Sequence, residues 1–176
     1  IVGAGPSVEK YKEGILQYIE KAAPEVIFLN INQHLPSQLA KATIVSHQTR
    51  ALFDAMKYQN LNHPIVLPEA RLGTLIRDQL KSLTILDYGL TLEDGSFIIG
   101  PNSCRLQWPL AAAYSFGVVT QAGASKISLV GFDGYTADHP RQEEMNEVFS
   151  MYKKLDKSLK ITSLTPTNYQ IEQSSI

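Results

Sequence analysis

Cysteine is nearly missing: Cys104 stands alone in 176 residues, so no internal disulfide can form and no thiolate metal cluster can be assembled. Charge of one sign is lacking too. Lys and Arg number 16 against 17 Asp and Glu, a net charge of −1, which excludes the basic surface that nucleic acid binding draws on and leaves no acidic tail. No charged segment leads into a long apolar stretch, so neither a signal peptide nor a membrane span is read, and a cytoplasmic location is expected. What is present is an ordinary balance, 44% hydrophobic and 19% charged, in a chain long enough to bury one core without staples. The sequence opens on Ile rather than Met, and Ile1-Val2 reads as the end of a strand. The expectation is a single domain over 1–176, excerpted from a longer chain.

Short apolar runs alternate with longer helical stretches, the pattern of a three-layer, Rossmann-like α/β fold with a mainly parallel sheet and helices on both faces. After Ile1-Val2, Ser7 is placed to cap a helix from Val8 to about Ala23, with Tyr11, Ile15, Tyr18, Ile19 and Ala22 on one stripe. Strands are expected at Val26 to Leu29, Ile44 to Ser46, Ile65 to Leu67, Lys126 to Val130 and Ile161 to Leu164. Helices are expected from Gln48 to Tyr58, in "ARLGTLIRDQLKSL", from Pro109 to Gln121 with Gly123 as its stop, and from Arg141 to Leu155. "TILDYGLTLEDGSFIIG" reads as two strands turning at Asp94-Gly95, and "TPTNYQIEQSSI" as a polar tail.

The opening turn, Gly3-Ala4-Gly5-Pro6-Ser7, follows the first strand and precedes a helix. In a doubly wound sheet such a turn lets the backbone approach a ligand and offers N–H groups to an anion; it also serves simply to turn a strand into a helix. The third glycine of the dinucleotide fingerprint is replaced by Val8, and the second strand ends in Asn30 rather than an acid. No NAD or flavin is therefore expected. Pro6 removes one N–H and Ser7 adds a hydroxyl, a combination suited to a phosphate or a sugar, with Asn30 and Asn32 as neighbours.

A second group lies after the strand ending at Val130: Gly131, Asp133, His139 and Arg141. The carboxyl edge of a central strand is where open α/β sheets bind ligands. Asp133 reads as a ligand for Mg²⁺, as a group orienting a hydroxyl, or as a turn residue beside Gly134. His139 reads as a general base or as a solvated loop side chain, and Arg141 in a helix's first turn as a partner for a ligand's charge. Gly100 to Cys104 is read as leading into a helix at the same crevice, which makes Asn102 and Ser103 contacts or turn residues. Cys104 has Arg105 beside it but no triad signature. Thr165 and Pro166 close the last strand, and His34, His47 and His63 lack metal spacing.

"GAGPS" after a first strand, the small-residue helix ending at Gly123, "ISLVGFDGY" and "ITSLTPTNY" together resemble the MptE-like family of 6-hydroxymethylpterin diphosphokinases and, more distantly, bacterial sialyltransferases that use CMP-sialic acid. The resemblance implies a nucleotide along Gly3, Gly5, Pro6 and Ser7, sugar or phosphate contacts from Asn30 or Asn32, Asp133 at the transfer centre and Thr165 and Pro166 beside the base. Mg²⁺ with a nucleotide or sugar nucleotide would be the cofactor. Where the sialyltransferases carry Thr-Ser-Gly this chain has Leu110, Ala111 and Ala112, which argues against sialic acid transfer. The chain is also similar to the C-terminal module of aldolase-like proteins from surface-polysaccharide (lipopolysaccharide) gene clusters, which implies an N-terminal aldolase-like domain as partner. Two roles follow: a transferase of phosphoryl or glycosyl groups, or a non-catalytic accessory domain of an aldolase-like lyase.

Overall fold

The apolar runs become strands in a computed structural model that describes residues 1–176. In chain order the first half comprises α1 Ser7–Lys10, α2 Lys12–Ala22, β1 Ile27–Leu29, β2 Ala42–Ile44, α3 Gln48–Phe53, α4 Ala55–Tyr58, β3 Ile65–Leu67, α5 Thr74–Leu80 and β4 Ile85–Asp87. The second half comprises β5 Gly89–Leu92, β6 Phe97–Ile99, β7 Ser103–Leu106, α6 Ala111–Gln121, β8 Ile127–Leu129, α7 Pro140–Lys153, β9 Ile161–Ser163 and β10 Glu172–Gln173. No helix is long and apolar enough to cross a membrane.

β1 to β4 lie side by side in parallel, and so do β8, β9 and β10. The opening residues join the two groups. Val2 bridges Phe28 on one side and Val130 on the other, with Val2 N–H donating to the Ile27 carbonyl at 2.8 Å and Gly3 N–H to the Val130 carbonyl at 2.8 Å. The result is one parallel ladder, β4-β3-β2-β1-opening segment-β8-β9-β10. The chain leaves the opening segment toward β1 and returns on its other side as β8, so the order reverses there.

Alternation along the strands sends successive side chains to opposite faces. Leu29, Ile44, Val66, Ile127 and Leu129 pack with α6 and α7 in one core cluster. On the other face Val45, Ile65 and Leu67 pack under α3, α4 and α5, while Val2, Phe28 and Val130 pack under α1 and α2. The α/β architecture with helices on both faces is as the sequence pattern implies.

Four local expectations change. The first helix kinks at Tyr11, and Ser7 gives no side-chain cap because its hydroxyl is used elsewhere. The helix expected over Gln48 to Tyr58 breaks at Asp54, whose carboxylate is drawn inside. The hairpin expected at Asp94-Gly95 is not one: β5 and β6 flank β7, parallel and antiparallel to it respectively. The reason is that burying Cys104 and Leu106 places β7 in the middle, and Gly100 N–H closes the tighter turn on the Ser103 carbonyl at 2.8 Å. Gly100 to Cys104 therefore leads into a strand, not a helix, and Asn102 and Ser103 are exposed in that hairpin beside Gly89, two residues past the end of β4. The polar tail is also built in: Thr165 and Tyr169 are buried and β10 pairs with β9.

Candidate functional site

Strand order reverses at the opening segment, and the carboxyl ends of that segment and β8 are the place where doubly wound sheets receive ligands. The fold brings Gly3, Gly5, Ser7, Gly131, Asp133 and Thr165 together there. Gly5 N–H donates to the Gly131 carbonyl at 3.0 Å and Val8 N–H to the Gly5 carbonyl at 3.1 Å. Ser7 N–H donates to Asp133 Oδ1 at 3.0 Å and the Ser7 hydroxyl to Oδ2 at 2.8 Å. Ser7 Oγ and Thr165 Oγ1 are 3.1 Å apart, and Gly131 N–H donates to Thr165 Oγ1 at 3.1 Å. The Ser7 hydroxyl is the donor in both contacts, so its one hydrogen is shared between Asp133 Oδ2 and Thr165 Oγ1, which also accepts from Gly131 N–H. A chain of hydrogen bonds thus runs from Gly131 through Thr165 and Ser7 to Asp133.

The glycines are required by this closure. A Cβ on Gly5 would lie 1.9 Å from Asp133 Oδ2, and one on Gly3 would lie 2.6 Å from the Gly131 carbonyl oxygen. Gly131 itself has φ +73, in the region that favours glycine. The turn that the sequence offers to a phosphate already holds an anion, the carboxylate of Asp133. Each Asp133 oxygen accepts one hydrogen bond from Ser7, which fixes the carboxylate in the turn.

The remaining candidates separate. The Asn32 amide donates to the Gly3 carbonyl at 3.1 Å and its oxygen accepts from His34 and Leu35 N–H, both at 2.9 Å, so it pins the turn. Asn30, in the left-handed region at φ 58, uses its backbone N–H on the Ile44 carbonyl and keeps a half-buried side chain at the rim. His139 caps α7, accepting from Arg141 N–H at 3.1 Å, and its ring stacks on Tyr135 with centroids 4.5 Å apart. Arg141 is exposed and reaches Glu144 at 3.9 Å. Pro166 is exposed beside buried Thr165. Cys104 is buried, and burial pushes its thiol up to about 12, the reverse of nucleophile activation.

The chain matches no family model, no curated protein and no solved structure. The site therefore rests on geometry. Two cavities are prominent. One of about 330 Å³ lies at the amino ends of β3 and β4, among Tyr58, His63, Ser82 and Thr84, on the wrong edge for a doubly wound sheet. The other, of about 310 Å³, lies at the carboxyl rim and is lined by Ser46, His47, Gln48, Arg71 and Pro109. Sequence reasoning missed Arg71. Its signal was available: an arginine following Pro68 at the carboxyl end of the fully buried run Ile65 to Leu67.

Proposed function

We propose that this domain binds a nucleotide or sugar nucleotide along the carboxyl rim of its sheet, and that its role is that of an accessory binding module. The observation that carries the reading is the reversal of strand order at the opening segment, with the glycine turn, Asn30 and the cavity of about 310 Å³ all on that rim. Accessory binding is favoured over phosphoryl or glycosyl transfer by one contact. Asp133, the residue expected to hold a metal or orient an acceptor, accepts a hydrogen bond from Ser7 on each oxygen and is turned toward the start of α1. An aldolase-like partner domain and a place in surface-polysaccharide synthesis accord with this role.

Titration calorimetry with CMP, CTP, ATP, GTP and sugar nucleotides, with and without Mg²⁺, tests it. Binding without consumption of the ligand, weakened by Asn30→Ala, is the expected result. Metal-dependent turnover that Asp133→Ala abolishes while binding persists would establish the transferase instead. If none of the nucleotides binds, the reading is wrong.

A further inference from the structure

The glycine turn is poorly placed to receive a ligand's phosphate, because most of its donors are spent and only the N–H of exposed Ala4 is left without an internal partner. Gly3 N–H serves Val130, Gly5 N–H serves Gly131, Val8 N–H serves Gly5, and Ser7 donates twice to Asp133. Pro6 has no N–H. An incoming phosphate would meet the Asp133 carboxylate at this place, and like charges at close range repel.

We infer that the anionic group of the ligand is held instead in the cavity of about 310 Å³ at the ends of β2 and β3, by Arg71 with His47 and Gln48. No carboxylate lines this cavity. Arg71 takes part in none of the ion pairs of the chain, unlike Arg50, Arg105 and Arg141. Its one internal bond is a long one, from Nη1 to the Leu90 carbonyl at 3.4 Å, which leaves the other guanidinium donors for a planar, two-toothed grip on a phosphate. His47 Nδ1 accepts from Thr49 N–H at 3.3 Å, so the neutral ring carries its hydrogen on Nε2. The Ser46 hydroxyl donates to the Pro109 carbonyl at 2.8 Å and fixes the wall. The cavity is thus a set of donors with no competing acid, of a size at the lower end for ligand sites. Asn30 directly follows β1 and Arg71 lies four residues beyond β3, in the turn Glu69–Arg71, so both belong to the carboxyl rim, with β2 between their strands.

The ligand class is a phosphate or pyrophosphate ester. This deepens the nucleotide reading and rests on it only for the nucleoside half, so the two are tested apart. Binding of inorganic pyrophosphate, CMP, a sugar 1-phosphate and unphosphorylated cytidine is measured by calorimetry at low ionic strength on the wild type, Arg71→Ala, Arg71→Lys and Arg141→Ala. Pyrophosphate binding that falls tenfold or more in Arg71→Ala and recovers in part in Arg71→Lys is expected. Arg71 is exposed, so a folded variant is expected, and its circular dichroism confirms it. If CMP binds but Arg71→Ala is silent, or if Arg141→Ala causes the loss, the phosphate lies elsewhere and the inference is overturned while the nucleotide reading stands. If pyrophosphate and the sugar phosphate bind through Arg71 and CMP does not, the inference stands and the nucleotide reading falls. Binding of none of them sinks both.

Discussion

Ser7 and Asp133, 126 residues apart in sequence, are joined twice, by the Ser7 N–H to Oδ1 at 3.0 Å and the Ser7 hydroxyl to Oδ2 at 2.8 Å. This pairing ties the start of α1 to the end of β8, across the point where the sheet changes direction. Hydrogen bonds to a charged group contribute roughly 1.5 to 3 kcal/mol each. Ser7→Ala removes one such bond together with the contact to Thr165 Oγ1, so a loss of about 1 to 3 kcal/mol is expected. Urea unfolding reads it directly. A midpoint within error of the wild type would show that the contact contributes nothing.

Closure of the turn also sets a steric demand. With a Cβ at residue 5 placed 1.9 Å from Asp133 Oδ2 and 2.7 Å from the Gly131 carbonyl oxygen, Gly5→Ala must push α1 away from β8. We expect a destabilisation larger than that of Ser7→Ala. The double variant Gly5→Ala, Asp133→Ala is expected to recover part of the loss, because the carboxylate clash goes and the backbone clash stays. A double variant whose unfolding midpoint is lower than that of Gly5→Ala alone would contradict this account.

Cys104 offers a test of the core rather than of the rim. The side chain is 2% exposed, lies against Gly117 of α6 and has its thiol pushed up to about 12 by burial. At neutral pH almost none of it is thiolate, and reagent cannot reach it. A disulfide exchange reagent should therefore label the native protein only as fast as the domain opens, and at once in denaturant. Stoichiometric labelling within seconds of mixing under native conditions would place Cys104 outside the core.

His63 introduces a pH dependence. Its ring is 2.9 Å from Thr43 Oγ1, and desolvation lowers its pKa, with the Ser37 carbonyl offsetting part of the effect. A histidine whose folded pKa lies below its unfolded value binds protons more readily when unfolded. Its contribution is thus complete above the unfolded value of about 6.5 and declines as pH falls below it. The slope of stability against pH between about 7.5 and 5 should be smaller in His63→Gln than in the wild type. Equal slopes would assign the pH dependence to other groups.

The fold was legible where composition and period agree. Val26 to Leu29 and Ile65 to Leu67 are continuous apolar runs because their strands are covered on both faces, and Gly123 marks the end of α6 because it takes φ +83 there. Partnership between strands was less legible. Alternation in "GLTL" and "FIIG" announces strands, yet only the burial of Cys104 and Leu106 decides that β7 lies between β5 and β6. The tail misled because its core contacts come from a threonine and a tyrosine spaced by polar residues. At the site, the sequence brought the glycine turn and Asp133 to attention separately. That they satisfy each other depends on the side-by-side pairing of two segments far apart in sequence, which no local pattern encodes. Arg71 sits in the stretch where helix and strand signals were weakest.

Asp54 is fully buried, with Arg50 Nε 2.8 Å from Oδ2 and Lys57 Nζ 2.7 Å from Oδ1, each of those basic side chains 46% exposed. Arg50 approaches off the hydrogen-bonding direction, so Oδ2 lacks a hydrogen-bond partner, as does the Tyr58 hydroxyl nearby. The carboxylate sits at the junction of α3 and α4, with one oxygen facing each of the two cations. Removing either cation leaves the other in place, and each single alanine variant should cost about 1 kcal/mol or less. Removing both leaves a bare buried charge, a situation that costs about 3 to 5 kcal/mol. The double variant Arg50→Ala, Lys57→Ala is therefore expected to lose clearly more than the sum of the singles, and adding Asp54→Leu should return much of that loss. Urea midpoints for the five proteins, wild type included, decide the matter. Additivity to within about 0.5 kcal/mol would mean that the two cations act independently of one another on Asp54.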